Sequence, residues 1–265
     1  MSERDKPSTE AIAAQFGTQA RLYAISEVHR SGATLERLLE RMQPVMDEAL
    51  LDLASGPAHT GLFFAPYVRA VTGYDASTEM LHAARLGAKA KSIAGFTAVC
   101  GDAHRLPFAD RAFDLVTCRA AAHHFAEPRA ALAEAARVLK RGGRLGIVDG
   151  MVPEDDELDR FINDLDVLHD PTTVRNYRPS EWRAMVEGTG LRLDLVEDEL
   201  RELAKGRSLE DWIARAGGTS EVFEEARRRL LGASSRVREY LLVEEKEGDV
   251  LFDYTRVLIM ARRID

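Results

Sequence analysis

Short apolar runs alternate with helix-like segments from residue 49 to residue 148. Each run has the length and apolar content of a buried strand, and the runs are Ala49–Ala54, Val68–Tyr74, Phe96–Cys100, Phe113–Cys118 and Arg144–Val148. Apolar residues recur at helical spacing in the intervening segments, which are His59–Ala65, Thr78–Ala88 and Arg129–Leu139. Strands joined by helices through short connections pair in parallel, with helices on both faces. The pattern therefore predicts an α/β fold built on a mostly parallel sheet.

The segment before this alternation is helical throughout. Apolar residues at helical spacing predict two helices, Glu10–Tyr23 and Ala33–Met42. Pro44 ends the second helix, because proline cannot continue one. We therefore expect residues 1–45 to form an N-terminal helical arm or lid in front of the sheet domain.

The segment after Asp149 is more helical than the alternating region. Helices rich in both charge signs follow one another over about residues 200–243. Two further strands are predicted, Leu191–Val196 and a closing strand, Val250–Ala261, for which an antiparallel direction is one option. The sheet then has seven strands, and residues 46–265 form one domain with a helical insertion.

Composition narrows the classes of function. The chain has 36 Lys and Arg against 44 Asp and Glu, a net charge of −8 and a pI near 5.5. Nucleic acids and anionic membranes attract proteins with excess positive charge, so neither is an expected partner. No apolar run approaches the roughly 18 residues of a membrane span, and the first ten residues are too polar for a secretion leader. The two cysteines are too few for a disulfide framework, which predicts a cytoplasmic protein.

The stretch LLDLASGPAHTG, Leu50 to Gly61, predicts a strand, a tight turn and the start of a helix. Such a turn lets a ligand approach the backbone N–H groups at the helix start. A pyrophosphate-binding turn needs G-x-G-x-x-G, whereas the three glycine positions here hold Ala54, Gly56 and His59. Pro57 also has no N–H to offer an anion. The turn therefore favours a nucleoside ligand without phosphates over NAD or ATP.

Carboxylates stand at the ends of the next two predicted strands. Asp75 lies 19 residues beyond Gly56, where a carboxylate suits a ribose diol, but it also suits the cap of a helix starting at Ser77. Asp102 follows the third strand, where it either accepts a hydrogen bond from an adenine amino group or belongs to an ordinary Gly-Asp turn. Both readings stay open at both positions.

Basic groups stand at the end of the fourth predicted strand, in the stretch CRAAAHHFAEP. Arg119, His123 and His124 lie where an acceptor would meet a cofactor bound beside the first strand. A histidine there can take a proton from a phenol or enol. Two adjacent histidines cannot both point inward from regular structure, so we expect at least one to be structural or exposed. Neither histidine has further ligands at metal-binding spacing, so no metal site is expected.

Taken in order, these stretches resemble the class I S-adenosylmethionine-dependent methyltransferases, in the branch similar to the ubiquinone/menaquinone-biosynthesis C-methyltransferases. The stretches that carry the resemblance are LLDLASGPAHTG, VTGYDASTEML, GDAHRLPFADRAFDLVTCRAAAHHF and ARVLKRGGRLGIVD. Similarity to uncharacterised bacterial members extends through PEDDELDRFINDLDVLHDPTTVRNYRPSEW and DWIARAGGT, and so covers nearly the whole chain from Phe16. The resemblance implies a Rossmann-like, doubly wound, mostly parallel seven-stranded sheet.

The resemblance also implies roles for individual residues in holding S-adenosylmethionine. Asp52 orders the turn, Asp75 binds the ribose hydroxyls and Arg119 lies beside the methionine end. Phe16 and Tyr23 match an aromatic pair in an N-terminal arm that closes over the cofactor. The other implied cofactor residues back the methionine portion, line the adenine pocket or belong to the same turns, and are Ala54, Ser55, Gly56, His59, Ala76, Met80, Gly101, Asp102 and Ala103.

Together these features predict an enzyme that transfers the methyl group of S-adenosylmethionine to a carbon or oxygen of a small-molecule acceptor and releases S-adenosylhomocysteine. The transfer is an in-line displacement that needs no metal, and the family name suggests a quinol or phenol-like acceptor. His124 or His123 is the candidate base, with His59, His29 and Asp149 as alternatives. Two other functions stay open from the sequence: a nicotinamide-dependent oxidoreductase on a similar sheet, and a non-catalytic S-adenosylmethionine-binding protein.

Overall fold

A seven-stranded sheet forms the centre of the computed structural model, which describes residues 6–201 and 207–264. The strands in chain order are β1 (Ala49–Leu53), β2 (Ala70–Asp75), β3 (Phe96–Cys100), β4 (Phe113–Arg119), β5 (Leu139–Gly150), β6 (Leu191–Arg201), β7 (Arg207–Ser208), β8 (Glu244–Lys246), β9 (Asp249–Phe252) and β10 (Thr255–Arg263). The central sheet has the order β3-β2-β1-β4-β5-β10-β6, and β7, β9 and β8 form a separate three-stranded sheet.

Helices surround the central sheet. In chain order they are α1 (Thr9–Ile25), α2 (Glu27–Arg30), α3 (Ala33–Met42), α4 (His59–Phe64), α5 (Thr78–Ala90), α6 (Pro128–Val138), α7 (Asp156–His169), α8 (Pro179–Val186), α9 (Leu209–Arg215), α10 (Ser220–Leu231) and α11 (Ser235–Tyr240). Short 3₁₀ turns occur at Ala65–Tyr67 and Ala122–His124. None of the helices in the described part of the chain is long and apolar enough to cross a membrane.

The central sheet is parallel except for β10. Strand β1 pairs in parallel with β2 on one side and with β4 on the other, so the direction of the strand order reverses at β1. Ligands of doubly wound sheets bind outside the carboxyl ends of the strands at this switch point. The Rossmann-like, seven-stranded, mostly parallel sheet predicted from the sequence is confirmed.

The predicted closing strand, Val250–Ala261, is wrong as a single strand. The chain leaves one sheet after β9 and enters the other at β10, which runs antiparallel to both β5 and β6. Asp253 lies at the break because its backbone N–H donates to the carbonyl of Leu241 at 2.8 Å and its buried carboxylate lies 3.7 Å from Arg201 and Arg207. Strand propensity alone does not reveal this long-range pairing.

Alternating side chains give the central sheet two apolar faces. Leu51 and Leu53 belong to the core beneath α6 and α8, and Leu50 belongs to the core beneath α3 and α4. Both faces are covered, which explains why these strands read as continuous apolar runs. The helix α3 thus packs on the sheet, and only the earlier part of the predicted arm is available to cover a site; residues 1–5 of that prediction lie outside the described range.

A second core holds together what we call the cap, which comprises α7, α9, α10, α11 and the three-stranded sheet. Its buried residues include Leu165, Trp212, Leu230 and Phe252. The insertion predicted over residues 200–243 is therefore helical in the main, although β6 extends to Arg201 and the short strand β7 precedes α9. Residues 202–206 of that prediction lie outside the described part. The cap lies beside the carboxyl ends of the central strands, where it closes a second cavity described below.

Candidate active site

The turn after β1 places its two alanines in strained backbone conformations. Ala54, Gly56 and Ala58 have φ angles of 51°, 53° and 59°. This left-handed region is open to glycine and costs another residue about 1 kcal/mol. Backbone hydrogen bonds hold the turn in place: Ser55 N donates to the Tyr74 carbonyl at 3.0 Å, and Ala58 N donates to the Ser55 carbonyl at 2.8 Å.

Asp52 supports this turn from behind. Its carboxylate is 1% exposed and accepts hydrogen bonds from Gly61 N at 2.8 Å and from Thr117 Oγ1 at 2.9 Å. The parallel register places Thr117 directly opposite Asp52 on β4. Burial raises the pKa of Asp52 to about 7, although the two hydrogen bonds act in the other direction. Asp52 therefore orders the turn without lining the cavity beside it.

Asp75, at the end of β2, connects that turn to the start of α5. Its Oδ2 accepts from Gly56 N at 2.7 Å, and its Oδ1 accepts from Ser77 N at 2.9 Å. The alternative reading of Asp75 as the helix cap is wrong, since Ser77 is the N-cap of α5 and accepts from Met80 N at 3.2 Å. Burial raises the pKa of Asp75. Its carboxylate lines the cavity and keeps lone pairs for a ligand.

Asp102 occupies the corresponding place after β3. Its Oδ1 accepts from His104 N at 2.9 Å and lies 2.5 Å from His104 Nδ1, so the Gly-Asp turn that sequence reasoning kept open is present. Burial acts to raise the pKa of Asp102, but the hydrogen bonds from His104 outweigh it and the pKa is lowered. Asp102 is therefore an ionised carboxylate at the rim of the same cavity.

The first cavity lies at the carboxyl ends of β1 to β4, beneath α1, and encloses about 960 Å³ counted to its opening. All the predicted cofactor residues except Asp52 line it. Residues that sequence reasoning did not assign to this site also line it, and these are Thr9, Ile12, Ala13, His29, Pro57, Thr60, Tyr74, His104, Ala120, Ala121, His124 and Phe125. The structure thus brings side chains from four strand ends and the N-terminal arm around one space.

The helix α1 covers the first cavity through aromatic contacts. Phe16 lies with its ring centroid 5.6 Å from that of Tyr23 and 4.9 Å from that of His124, both in edge-on geometry. His59 Nε2 bonds to the Tyr23 carbonyl at 2.8 Å. Gln19 Nε2 donates to the carbonyl of Ala216 at 2.6 Å, which ties α1 to the cap.

A second cavity, also open to solvent, adjoins the first and has a volume of about 970 Å³ counted to its opening. The two cavities share six lining residues, Phe16, Tyr23, His29, Arg119, Ala120 and His124. The residues that line only the second cavity come from the cap, from the sheet and from the loops between them: His123, Gly150, Asp166, His169, Asp170, Thr173, Asn176, Arg207, Trp212, Arg215, Tyr254 and Arg256. A molecule in the second cavity would therefore face the contents of the first across a short boundary.

His123 and Asp149 form a hydrogen-bonded pair at the edge of the second cavity. Asp149 is 1% exposed, and its two oxygens lie 2.7 Å from His123 Nδ1 and 2.8 Å from the His123 backbone nitrogen. Burial acts to lower the pKa of His123, but the Asp149 carboxylate outweighs it and the pKa is raised. A proton on Nδ1 held by a carboxylate leaves Nε2 as the basic nitrogen of the neutral ring.

His124 lies at the boundary of the two cavities. Its Nδ1 lies 3.1 Å from the Thr172 carbonyl, and burial together with His123 lowers its pKa to about 4. Both histidines line the second cavity, and His124 also has the hydrogen bond to a backbone carbonyl that a structural histidine makes. The expectation that at least one of the two is structural or exposed therefore stays a prediction. The 3₁₀ turn at Ala122–His124 places the two rings with centroids 4.0 Å apart.

Arg119, the last residue of β4, also lines both cavities. Its Nε donates to Thr60 Oγ1 at 3.0 Å, and its Nη2 donates to the His29 carbonyl. These bonds join the end of β4 to α4 and to the short helix α2. They fix the guanidinium at the boundary between the two cavities.

Comparison with known proteins decides the family. A family model described as a methyltransferase domain matches residues 51–147. The uncharacterized methyltransferase YcgJ of Bacillus subtilis (strain 168) is 35% identical over 224 residues, which are 84% of this chain and 87% of that protein. The chain belongs to the class I S-adenosylmethionine-dependent methyltransferases.

Two further relatives extend this result. The crystal structure of protein BH2331 from Bacillus halodurans C-125 superposes on this methyltransferase with a TM-score of 0.82 and 32% identity, over 88% of this chain and 100% of that one. The demethylmenaquinone methyltransferase of Thermotoga maritima is 37% identical over 121 residues, which are 44% of this chain and 50% of that protein. The likeness to this demethylmenaquinone methyltransferase therefore extends over less than half of the chain, whereas the likeness to YcgJ extends over most of it.

Membership in this family rules out the alternative hypothesis that the protein is a nicotinamide-dependent oxidoreductase. The same holds for the reading as a non-catalytic binding protein, since the family model describes a methyltransferase domain and YcgJ is named as a methyltransferase. Within residues 6–201 and 207–264, no group of three or more His, Cys, Asp or Glu side chains is arranged to hold a metal ion.

From the sequence, an acceptor pocket is expected among the N-terminal arm, the loop at His123–Phe125 and the helices after Asp149, but none of the cap residues that line the second cavity is singled out. Arg207, Arg215 and His169 lie in or beside segments rich in both charge signs, and such segments are usually solvated. One signal was available: Trp212 and Tyr254 interrupt those segments with large aromatic residues, which favours a buried face.

Proposed function

We propose that this methyltransferase transfers the methyl group of S-adenosylmethionine to a carbon or oxygen of a small-molecule acceptor bound in the second cavity. The observation that carries the proposal is the boundary of six residues that line both cavities. A donor in the first cavity and an acceptor in the second would meet at this boundary. A quinol or phenol-like acceptor suits the site, because its hydroxyl proton matches the His123 and Asp149 pair.

The donor groups of the first cavity fit S-adenosylmethionine. The partly buried Asp75 carboxylate would accept hydrogen bonds from the ribose hydroxyls, and Asp102 would accept one from the adenine amino group. Ala76, Met80 and Ala103 supply apolar walls for the base, and Arg119 would lie beside the methionine end. Pro57 leaves no backbone N–H for a phosphate at the turn, which agrees with a ligand that has none.

When bound, the cofactor supplies a methyl group on a cationic sulfur, and transfer of this methyl group leaves a neutral sulfide. The protein therefore has to align the acceptor and remove its proton. Alignment of two reactants can lower a barrier by about 7–11 kcal/mol. His123 would accept the acceptor proton at Nε2, because Asp149 holds Nδ1, and general-base catalysis of this kind contributes about 10²–10⁴-fold. His124 stays neutral near pH 7 and would orient the acceptor.

Exclusion of water supports the same function. The rings of Phe16, Tyr23 and His124 pack together between the two cavities and α1. Rings in this position would keep water away from bound ligands, which would strengthen the electrostatic contacts there and protect a reactive methyl donor from hydrolysis.

Substitution of Asp75 tests the cofactor site. Asp75→Asn keeps an oxygen for one of the two backbone N–H groups but removes the charge and one acceptor. We expect the dissociation constant of S-adenosylhomocysteine, measured by calorimetric titration, to rise at least tenfold. Asp110→Asn, an exposed change outside the cavity, serves as the control and leaves it unchanged. Equal affinity of the wild type and Asp75→Asn would contradict the proposed site.

A labelled-methyl transfer screen tests the reaction itself. Quinols, phenols and enols are incubated with the enzyme and S-adenosylmethionine carrying a labelled methyl group, with amines as a comparison class. We expect label in the extracted acceptor from at least one hydroxyl-bearing class. If an enzyme that binds S-adenosylhomocysteine transferred label only to amines, the proposal of a carbon or oxygen acceptor would be wrong and the methylated atom would be nitrogen.

A further inference from the structure

We propose that Arg207, Arg215 and Arg256 form an oxyanion-binding site in the second cavity and recognise a carboxylate or phosphate group of the methyl acceptor. The inference rests on the proposed function, because it takes the second cavity as the acceptor site. The three arginines come from β7, α9 and β10, and all three line this cavity but not the first one. The oxyanion would thus bind away from the cofactor, and the reacting end of the acceptor would lie near His123 and His124.

Arg207 is the most deeply placed of the three. Its side chain is 10% exposed, its guanidinium carbon lies 4.8 Å from the centroid of the Tyr254 ring, and its Nε has no hydrogen-bond partner among the described residues. The nearest carboxylate is that of Asp253, 3.7 Å away and shared with Arg201. A buried guanidinium nitrogen without a partner is costly, and a bound oxyanion would remove that cost.

Arg215 is partly buried at the carboxyl end of α9. Within the part of the chain that the structure describes, its side chain forms neither a hydrogen bond nor an ion pair. The guanidinium therefore keeps its planar set of five donors for a ligand. Such a fork matches the two oxygens of a carboxylate or phosphate.

The acidic groups of this cavity are already engaged with other partners. Asp166 accepts hydrogen bonds from Tyr254 and Asn176, and Asp170 accepts from Thr172 N at 2.8 Å and from Thr172 Oγ1 at 2.6 Å. Asp149, close behind, is paired with His123.

The described lining therefore has an excess of positive charge. Its arginines are Arg119, Arg207, Arg215 and Arg256, and its carboxylates are Asp166 and Asp170. This excess stands out in a protein whose net charge is −8, and it favours an anion inside the cavity.

Mutual repulsion of the arginines points to the same conclusion. Burial and the charges of Arg256 and Arg215 together lower the pKa of Arg207 to about 10, although Tyr254 and Asp253 act in the other direction. Burial also lowers the pKa of Arg215, again with a contribution from Arg256. Like charges held together in a partly dry cavity are stabilised by an anion placed between them.

The test uses three small aromatic probes, of which the benzoate and the benzamide differ in charge but hardly in shape. 4-Hydroxybenzoate and phenyl phosphate are the anions, and 4-hydroxybenzamide is the neutral analogue. Each is titrated calorimetrically into the full-length enzyme, with and without saturating S-adenosylhomocysteine. We expect at least one anion to bind at least tenfold more tightly than the benzamide. The tighter of the two anions identifies the oxyanion as a carboxylate or a phosphate.

Two variants locate the effect. Arg215→Gln is expected to weaken the preferred anion at least tenfold, with the affinity for S-adenosylhomocysteine and for the benzamide unchanged. Arg207→Gln is expected to act in the same direction, and its melting temperature shows whether it is folded. Arg228→Gln, on α10 of the cap with a side chain 72% exposed, is the matched control and leaves all affinities unchanged.

The possible results separate this inference from the proposed function. Benzamide binding as tightly as both anions, no anion binding at millimolar concentration, or full anion affinity in Arg215→Gln would each overturn the oxyanion site. Arginine-dependent anion binding in an enzyme that fails to bind S-adenosylhomocysteine would support the oxyanion site and count against the proposed cofactor site instead.

Discussion

Ala54 and Ala58 have left-handed backbone conformations, at positions where the glycine-rich form of this turn has glycine. Hydrogen bonds from the backbone of the turn, together with Asp52 behind it and Asp75 beside it, keep the path despite the two methyl groups. Local strain is thus balanced by contacts from neighbouring strands. The turn keeps its shape without the glycines that a sequence motif would demand.

Relief of this strain is measurable at Ala54. We expect Ala54→Gly to increase the free energy of unfolding by about 0.5–1 kcal/mol, because the strain removed exceeds the entropy gained by the unfolded chain. Ala83→Gly, inside the helix α5, is the control and should decrease it by about 1 kcal/mol. Urea denaturation measures both, and destabilisation by both changes would show that Ala54 is not strained.

The pairing of His123 with Asp149 predicts a pH dependence. Asp149 stabilises the protonated ring, so the pKa of His123 lies above 6.5 and the basic form grows as pH rises through that value. We expect kcat with a hydroxyl acceptor to rise over the same range. Asp149→Asn should move this rise to lower pH and reduce kcat at least tenfold.

Histidine NMR titration checks the pKa of His123 without an acceptor. An unchanged pKa in Asp149→Asn would remove Asp149 as the cause. The affinity for S-adenosylhomocysteine is the control measurement for this variant, since neither residue of the pair lines the first cavity.

At the scale of elements, the helix α1 connects the two cavities and the cap. It packs along α5, places Phe16 against His124 and bonds through Gln19 to the end of α9. Residues of α1 therefore line both cavities and also contact the cap, which holds Arg215. Binding in one cavity can order this helix for the other.

Truncation of Phe16 tests that role. We expect Phe16→Ala to weaken binding of S-adenosylhomocysteine about tenfold and to speed amide hydrogen exchange in α1, because the ring contacts to Tyr23 and His124 are lost. Leu22→Ala on the same helix, where the residue is 49% exposed, is the control. Equal exchange rates in Phe16→Ala and in the control would show that the aromatic contacts do not hold α1 over the cavity.

At the scale of the whole molecule, the second cavity exists only where the cap meets the sheet. His169 on α7 stacks on Trp212 of α9 with ring centroids 3.7 Å apart, and both line the cavity opposite Arg256 on β10. Neither the cap nor the sheet encloses this space alone. The proposed acceptor site therefore depends on the assembled molecule, whereas the proposed cofactor site is formed by the ends of β1 to β4 and by α1.

His169 makes the stability of the protein at the second cavity sensitive to acid. Burial lowers its pKa to about 3, aided by Arg215 and Arg207, whereas it is near 6.5 in the unfolded chain. A histidine of this kind stabilises the fold fully above pH 6.5, and the contribution is lost as pH falls toward 3. We expect the wild type to lose more thermal stability than His169→Phe between pH 7.5 and 5.5, since phenylalanine keeps the stacking but does not titrate. The comparison isolates His169, because the other titrating groups contribute equally to both proteins. Equal losses of thermal stability in the two proteins would show that His169 does not titrate in this way.

The sequence by itself determined the central sheet and the edge at which the candidate cofactor residues lie. Strand and helix periodicities depend on neighbouring residues, so β1 to β4 and the helices α4, α5 and α6 could be predicted within about two residues at their ends. The strand β5 begins at Leu139, well before the predicted start at Arg144, because its first residues pair with β4 at Phe113 and carry no apolar run of their own. Parallel strands then bring their carboxyl ends to one edge of a sheet. Asp75, Asp102 and Arg119 could be placed together at that edge for this reason, before any contact between them was known.

Only the tertiary structure decided the second cavity. Arg207, Arg215 and Arg256 are separated in the chain and share no periodic pattern, and a charge pattern does not reveal which side of a segment is buried. The break at Asp253 depends on partners at Leu241 and Arg201, and the 3₁₀ turn that turns both His123 and His124 inward is held by Asp149. These features arise from contacts between distant segments, whose energies no local pattern contains.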